Sequence, residues 1–364
     1  MKILSLQPFF GGSHRNFSDG WIENSQHDWT VLSLPDRTWK WRMRHAPLEF
    51  ARELEALKSQ GQSWDAILTT DMLDVATFKG ITDIGKTPLT VYFHENQFAY
   101  PVKEESRSVL HFAFTNFTTM VAADRVIFNS QFNMDSTLEG AEEVLKRFPD
   151  YQPLDRLDEI RKKSSVEYPG IEVSKNPPEA KPISSPIVIT WAARWEHDKG
   201  PDQLESFLQK LVEQSVDFRV NIVGQSYRHK PPAFERIKQS FADQIDAWGF
   251  QSRERYLEIL DATDVIFSTA DHEFFGLSVV EAITHGALPL LPNRLAYPEV
   301  IGTIASKEAH RFLYTDLNDA VEKLKSLATV PLESKRALTL KCRELYRWET
   351  RAKSLDKLIS HGRK

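Results

Sequence analysis

Two glutamates stand eight residues apart around a glycine in the segment Asp271-His272-Glu273-Phe274-Phe275-Gly276-Leu277-Ser278-Val279-Val280-Glu281-Ala282. The glycine marks a junction from loop to helix, with Glu273 on the loop and Glu281 one to two turns down the helix. Amides near Gly276, Leu277 and Ser278 would then form a helix N-terminus aimed at a phosphate. A carboxylate at Glu281 is placed to accept hydrogen bonds from ribose hydroxyls. The spacing is poor for a metal, because no His or Cys completes a ligand set. A second candidate is the turn Ala193-Arg194-Trp195-Glu196-His197-Asp198-Lys199-Gly200. Its two cations suit a phosphate or diphosphate, Arg194 as a fork and Lys199 as a point charge. A solvated charged turn is the plain alternative. A third is Gly11-Gly12-Ser13-His14, where paired glycines let the backbone approach a ligand closely. A tight turn with no ligand would look the same.

These groups must be held by strands and helices. The 364 residues are more than one core usually contains, so two domains of roughly 150–200 residues are expected. Short β-rich runs (Ile3–Leu6, Trp29–Leu34, Ala66–Thr69, Leu89–Phe93, Arg125–Asn129) alternate with helical stretches such as Pro47–Ser59 and Ser108–Ala122. A second series follows, with strands at Ile187–Trp191, Phe218–Val223, Val265–Ser268 and Leu288–Leu291. Helices are expected there at Pro201–Gln214, Ala233–Ala247 and Leu277–His285. Alternation of this kind builds parallel sheets from βαβ units. Prolines 169, 177, 178, 182 and 186 mark a linker, which sets the domains at 1–168 and 187–333 with a hinge at 169–186. From Ser334 to Ser360 there is no Gly or Pro, and apolar residues recur every three or four positions, predicting one long helix in 334–364 that crosses back to the first domain. The fold class is α/β, two Rossmann-like domains facing across a cleft where ligands usually bind.

Composition narrows the function classes. One cysteine, Cys342, cannot make an internal disulfide. No apolar run approaches the ~20 residues that cross a bilayer, and MKILSLQPFF reads better as a first strand than as a signal peptide. The cytoplasm is the expected location. A net charge of -5 excludes a uniformly basic protein but allows a local basic patch. One exists: Arg37, Lys40, Arg42, Arg44 and His45 interleave with Trp39 and Trp41, with no acid between. Such a segment can neutralise phosphates and stack on unpaired bases, or rest on a membrane interface, or be a surface stretch with its tryptophans packed inward. A nicotinamide oxidoreductase is disfavoured because G-x-G-x-x-G is missing. A silent binding module need not keep Arg194, Lys199, Glu273 and Glu281 together.

The glutamate pair, the Arg194/Lys199 turn, the early glycine turn and Tyr168-Pro169-Gly170-Ile171 together resemble retaining glycosyltransferases of the GT-B fold, family 4 type. A narrower likeness lies in Trp39-Lys40-Trp41-Arg42-Met43-Arg44, Phe93-His94-Glu95-Asn96-Gln97 with Tyr100-Pro101, and Ala123-Asp124-Arg125-Val126-Ile127-Phe128-Asn129-Ser130. These resemble the tRNA-queuosine α-mannosyltransferase family. The resemblance implies a nucleotide-sugar donor, GDP-mannose, and tRNA carrying queuosine as acceptor, with no cofactor, no metal and no membrane insertion. It implies that Gly11, Gly12, Arg194, Lys199, Gly276, Leu277 and Ser278 meet the diphosphate. Glu281 would bind the ribose, and Glu273 the transferred sugar. His94 would contact that sugar near the reacting carbon, and His14 is a further catalytic candidate. Arg37, Trp39, Lys40, Trp41, Arg42, Arg44, Asn96 and Gln97 fall to the acceptor. His272 and His285 read as buttresses of the motif loop. A family 4 enzyme with a lipid or polysaccharide acceptor is the nearest rival.

Overall fold

The computed structural model describes residues 1–99, 107–226 and 230–360, so Tyr100-Pro101 of the motif lies outside it. The chain divides into two compact units, Met1–Gly170 together with the chain from Trp348 onward, and Ile171–Arg347. The first unit's strands are β1 (Lys2–Phe10), β2 (Asp28–Pro35), β3 (Ala66–Thr70), β4 (Leu89–Phe93), β5 (Arg125–Phe128) and β6 (Ser164–Val166). They form one parallel sheet in the order β2-β1-β3-β4-β5-β6. Successive residues of a strand point to opposite faces, and both faces here are apolar. Leu4, Leu6, Ile67, Val91, Phe93, Val126 and Phe128 pack in one core, while Ile3, Ala66, Leu68, Tyr92 and Ile127 pack in another. Helices therefore cover both sides, as parallel sheets require.

The second unit repeats the plan with β7 (Ile187–Ala192), β8 (Phe218–Val223), β9 (Ile245–Gly249), β10 (Val265–Phe267), β11 (Leu288–Pro292) and β12 (Leu313–Tyr314). Its order is β12-β11-β10-β7-β8-β9, again parallel. The direction of winding reverses between β1 and β3 in one sheet and between β7 and β10 in the other. Open α/β sheets bind ligands outside the carboxyl ends of strands at such a reversal. The loops after β1, β3, β7 and β10 are thus the places to look.

Three expectations need correction. The helix expected over Ala233–Ala247 stops at Ser240, and β9 takes residues 245–249 at the sheet edge. The helix read from Pro47 begins at Trp39, with Pro47 buried inside it. The long closing helix is two, Leu332–Tyr346 and Trp348–Ser360, parted at Arg347, whose backbone is extended (φ −62°, ψ 144°). The break has a packing cause. Tyr346 O accepts the Ile171 amide at 2.8 Å in the second unit. Trp348 belongs to the first unit, where its indole presses on Gly20 and Gly170 so closely that a Cβ at either would lie within 2.3 Å of the ring. The last helix does pack on the first unit, against Gly12–Asn24. Its buried Asp356 accepts hydrogen bonds from Trp21 Nε1 (2.8 Å), Ser25 Oγ (2.8 Å) and the Gln26 amide (3.0 Å). Residues 172–186 hold no helix or strand.

Candidate active site

In the second unit the loops after β7 and β10 are knitted together through backbone. The Asp271 and His272 amides donate to Asp198 O at 2.8 and 3.1 Å, and Thr269 Oγ1 donates to Lys199 O at 2.8 Å. Gly200 makes this approach feasible: its φ is +65°, and a Cβ there would sit 2.2 Å from Thr269 O. Lys199 is the pin. Only 7% exposed, it donates to His272 O at 2.6 Å and lies 3.2 Å from Asp198 Oδ2 and 3.5 Å from Glu273 Oε2. Burial alone would lower the lysine pKa, but the carboxylates of Glu273 and Asp198 outweigh it and hold Lys199 above its ordinary value. Burial likewise opposes ionisation of Glu273, yet Lys199 and the Phe275 amide keep its pKa below the usual glutamate range. Asp198 falls to about 2, because His272, 3.8 Å from its Oδ2, and the charge of Lys199 overcome its burial.

Glu273 Oε1 also accepts the amides of Phe274 (3.2 Å), Phe275 (3.4 Å) and Gly276 (3.1 Å), which orients the loop leading into the helix Leu277–Thr284. Ser278 Oγ donates to Ala192 O at 2.7 Å, tying that helix to the end of β7. Ala192, Ala193, Lys199, Glu273 and Ser278 line one small cleft together with Tyr297. Arg194 is half-exposed beside Glu196, at 3.4 Å. Glu281 lies one turn deeper, its Oε1 accepting from Arg253 Nη1 at 2.9 Å and its Oε2 from the Tyr256 hydroxyl at 3.3 Å. Asp198, Arg253, Tyr256 and Tyr297 escaped the sequence reading. Asp198 adjoins Lys199 and could have been found; nothing in the sequence pairs Arg253 with a glutamate 28 residues on. His272 does buttress the motif loop. His285 does not: its Nδ1 is 2.6 Å from Asp261 Oδ1, in a separate polar cavity with Ser174 and Lys181.

In the first unit, Gly11 and Gly12 open the helix Gly12–Asn24 after β1, and a Cβ on Gly12 would meet nothing within 4 Å. His14 on that helix reaches His94 at the end of β4, ring centroids 4.3 Å apart. Phe17 and Tyr92 also contact the His94 ring, each with centroids 4.8 Å away. This enclosure, and next His14, pushes the His94 pKa well below the ordinary histidine value, so the ring is neutral. Its Nε2 is buried with no hydrogen-bond partner among the described residues. The His94 peptide is held on both sides, its N–H by Asp71 Oδ1 (2.9 Å) and its carbonyl by Asn129 Nδ2 (2.7 Å).

The acceptor residues separate. Asn96 is fully buried: its Nδ2 donates to Asn133 Oδ1 (2.9 Å) and Ser136 Oγ (3.1 Å), and its Oδ1 accepts the Phe98 and Ala99 amides (3.0 and 2.8 Å). Gln97 is 3% exposed. Both shape the loop after β4 rather than offer a surface, which corrects their assignment to the acceptor. Trp39 packs on Phe112 with Met43 and Met72, and the Arg44 guanidinium lies over Phe112 at 5.1 Å. Arg42 Nε donates to Pro35 O at 2.9 Å. Arg37, Lys40 and Trp41 face solvent.

Comparison with known proteins agrees with this division. Residues 2–171 match the tRNA-queuosine alpha-mannosyltransferase N-terminal family, and residues 174–336 match Glycosyl transferases group 1. The Drosophila melanogaster tRNA-queuosine alpha-mannosyltransferase is 35% identical over 340 residues, 90% of this chain and 87% of the fly protein. The chain belongs to the tRNA-queuosine alpha-mannosyltransferase family. It is a glycosyltransferase, and Arg194, Lys199, Glu273 and Glu281 all fall in the segment shared with group 1. A GDP-mannose:cellobiosyl-diphosphopolyprenol alpha-mannosyltransferase of Xanthomonas campestris is 21% identical over 167 residues, covering 44% of this chain and 43% of that protein. Among solved structures, sucrose-phosphate synthase from Thermosynechococcus elongatus superposes with TM-score 0.72 at 13% identity, covering 99% and 98% of the two chains. Anabaena HepE in complex with UDP gives 0.64 at 14%, covering 99% and 100%. These likenesses establish the GT-B fold for this member of the queuosine family.

Proposed function

We propose that this chain moves mannose from GDP-mannose to queuosine in the anticodon loop of tRNA, with retention at the anomeric carbon. The carrying observation is the 35% identity to the fly enzyme, which runs through both units. The Xanthomonas relative, whose name includes GDP-mannose, supports the guanine donor.

The reaction breaks the bond from the sugar's anomeric carbon to the diphosphate, and the electron pair leaves on the phosphate oxygen. A queuosine hydroxyl bonds to that carbon on the same face, and its proton passes to the released phosphate oxygen. Charge growing on the leaving group is met by Arg194, Lys199 and the amides at Leu277 and Ser278, the Gly276 amide being held by Glu273. Donors fixed in advance are the largest catalytic term in such sites. Glu273, held ionised by Lys199, binds the sugar hydroxyls, and Glu281 the ribose. Gly12 leaves backbone open to a substrate oxygen, while Gly11 is packed against the Asp36 side chain and shapes the turn. His94 acts as a neutral imidazole with His14 beside it. No metal takes part in this reading; abolition of turnover by a chelator would overturn that point. The acceptor puts the work in the cytoplasm, and among the described residues no helix is long and apolar enough to cross a membrane.

The test is transfer from a panel of nucleotide sugars to matched tRNAs with and without queuosine. Labelling from GDP-mannose confined to queuosine tRNA is expected. Equal labelling of both tRNAs, or label that resists ribonuclease in a lipid fraction, would overturn the acceptor.

A further inference from the structure

The helix Trp39–Ser59 carries an exposed apolar stripe that the fold does not use. Trp41 is 58% exposed and Leu48 59%, at positions i and i+7 of one helix face, with the half-buried His45 between them at i+4. A tryptophan left this open is unusual for a soluble domain. Its ring is already stacked on His45, centroids 5.4 Å apart and planes 25° from parallel. Lys40 and Arg37 are exposed beside it. No acid occurs from Arg37 to Leu48; Asp36 precedes the strip, and Glu49 behind it is paired with Arg52. On a chain with net charge -5, a cationic strip around an aromatic pair is not generic surface.

The backbone supports a presenting role. Thr38, a β-branched residue, sits at φ 48°, ψ 64° in the left-handed region, where such residues are outliers. The turn is closed by Arg37 N donating to Pro35 O at 2.8 Å and Trp41 N donating to Thr38 O at 2.8 Å. Strain of this kind persists only where its surroundings enforce it, and it gathers at functional sites. Arg37, which precedes Thr38, is exposed, while Trp39, Met43 and Arg44 on the other side lock the helix to the core.

Resting on the acceptor reading above, we propose that Trp41 and His45, flanked by Arg37 and Lys40, form the platform on which this chain seats an unpaired base of its RNA acceptor. The aromatic pair stacks on the base, and the two cations take the adjoining phosphates. A nucleic acid fits this strip better than a bilayer. Trp39, the second aromatic a membrane anchor would need, is turned into the core.

The experiment measures tRNA affinity across a salt series, together with mannose transfer and GDP binding, for the full chain and three variants. Trp41→Ala should weaken tRNA binding about tenfold, a loss typical of one stacked base, and Trp41→Phe should restore most of it. Arg37→Ala with Lys40→Ala should lower the slope of log affinity against log salt by about 1.4, the value for two single-strand phosphates. GDP binding should stay unchanged in all three. If wild type mannosylates queuosine tRNA while Trp41→Ala and the double variant keep its affinity and salt slope, the platform is wrong and the function stands. If wild type transfers nothing to tRNA but the chain binds anionic vesicles through Trp41, the acceptor reading and the platform both fall.

Discussion

The carbonyl oxygen of His94 accepts a hydrogen bond from the side-chain amide of Asn129, 2.7 Å away, and Asn133 Nδ2 fixes that amide by donating to Asn129 Oδ1 at 2.9 Å. If His94 meets the sugar as proposed, Asn129 is a positioning residue that acts through it. Asn129→Ala should lower kcat about tenfold or more, since small misplacements of reacting groups are costly, and should leave the KM for donor within about twofold. Asn129→Asp, which cannot donate this bond, should behave like the alanine variant. A variant whose KM rises while kcat holds would show that Asn129 serves binding instead.

The enclosed His94 ring carries a pH signature. Its folded pKa lies well below the ordinary value, so the unfolded chain binds a proton that the folded chain refuses. Its neutral form is fully accommodated above about pH 6.5, and stability falls as pH drops below that point. His94→Gln should remove this component. Melting temperatures at pH 7.5 and 5.5 should therefore differ more in wild type than in His94→Gln. Parallel curves would mean the ring protonates freely in the folded state.

Much of this architecture was readable in advance because its signals are local. Buried parallel strands show as apolar runs, and the Glu273–Glu281 spacing survives as a loop running into a helix. What stayed hidden depends on partners distant in sequence. The break at Arg347 has no Gly or Pro to announce it, because Trp348 and Tyr346 pack in different units. Asn96 carries a motif's look, yet its partners Asn133 and Ser136 are on another helix. Pro47 suggested a helix start, and that misreading hid the fact that Arg42 and Arg44 lie inside a helix whose two sides meet core and water.

Glu281 and Glu273 should fail differently. Glu281→Gln weakens the Arg253 pair and, with it, the proposed ribose contact, so nucleoside diphosphate affinity should fall about 10–100-fold with kcat at saturating donor much less changed. Arg253→Ala should reproduce part of the loss by freeing the carboxylate it holds at 2.9 Å. Glu273→Gln should instead depress kcat if Glu273 meets the sugar as proposed. Titration calorimetry with GDP beside steady-state rates distinguishes them; equal GDP affinity in wild type and Glu281→Gln would remove the ribose role.

Acid should loosen the second unit at a defined point. Asp198 is held at about 2 against an ordinary 3.8, a difference worth on the order of 2 kcal/mol. With a depressed carboxylate pKa, that stability is present above about pH 4 and lost as pH falls through about 2. Asp198→Asn should start less stable by that amount at neutral pH and show a shallower decline between pH 4 and 2. An unchanged acid profile would mean that His272 and Lys199 do not hold the charge.

Arg194 and Lys199 share a turn but differ in burial, and that difference predicts separable defects. Arg194 is half-exposed with Glu196 nearby, so its contribution to stability is small. Arg194→Ala should melt within about 1 °C of wild type, yet lose on the order of 10²-fold in turnover if it meets the leaving diphosphate. Lys199 is enclosed by Asp198, Glu273 and the His272 carbonyl. Lys199→Met fills the space but leaves two carboxylates without their cation, and breaking such a pair costs about 3–5 kcal/mol. It should lose both stability and turnover. Adding Asp198→Asn to Lys199→Met removes one stranded charge and keeps Glu273, so the melting temperature should recover in part while activity stays absent. Recovery of both would show that Lys199 only holds the loops, and recovery of neither would show that its hydrogen bond to His272 O carries the fold of the turn.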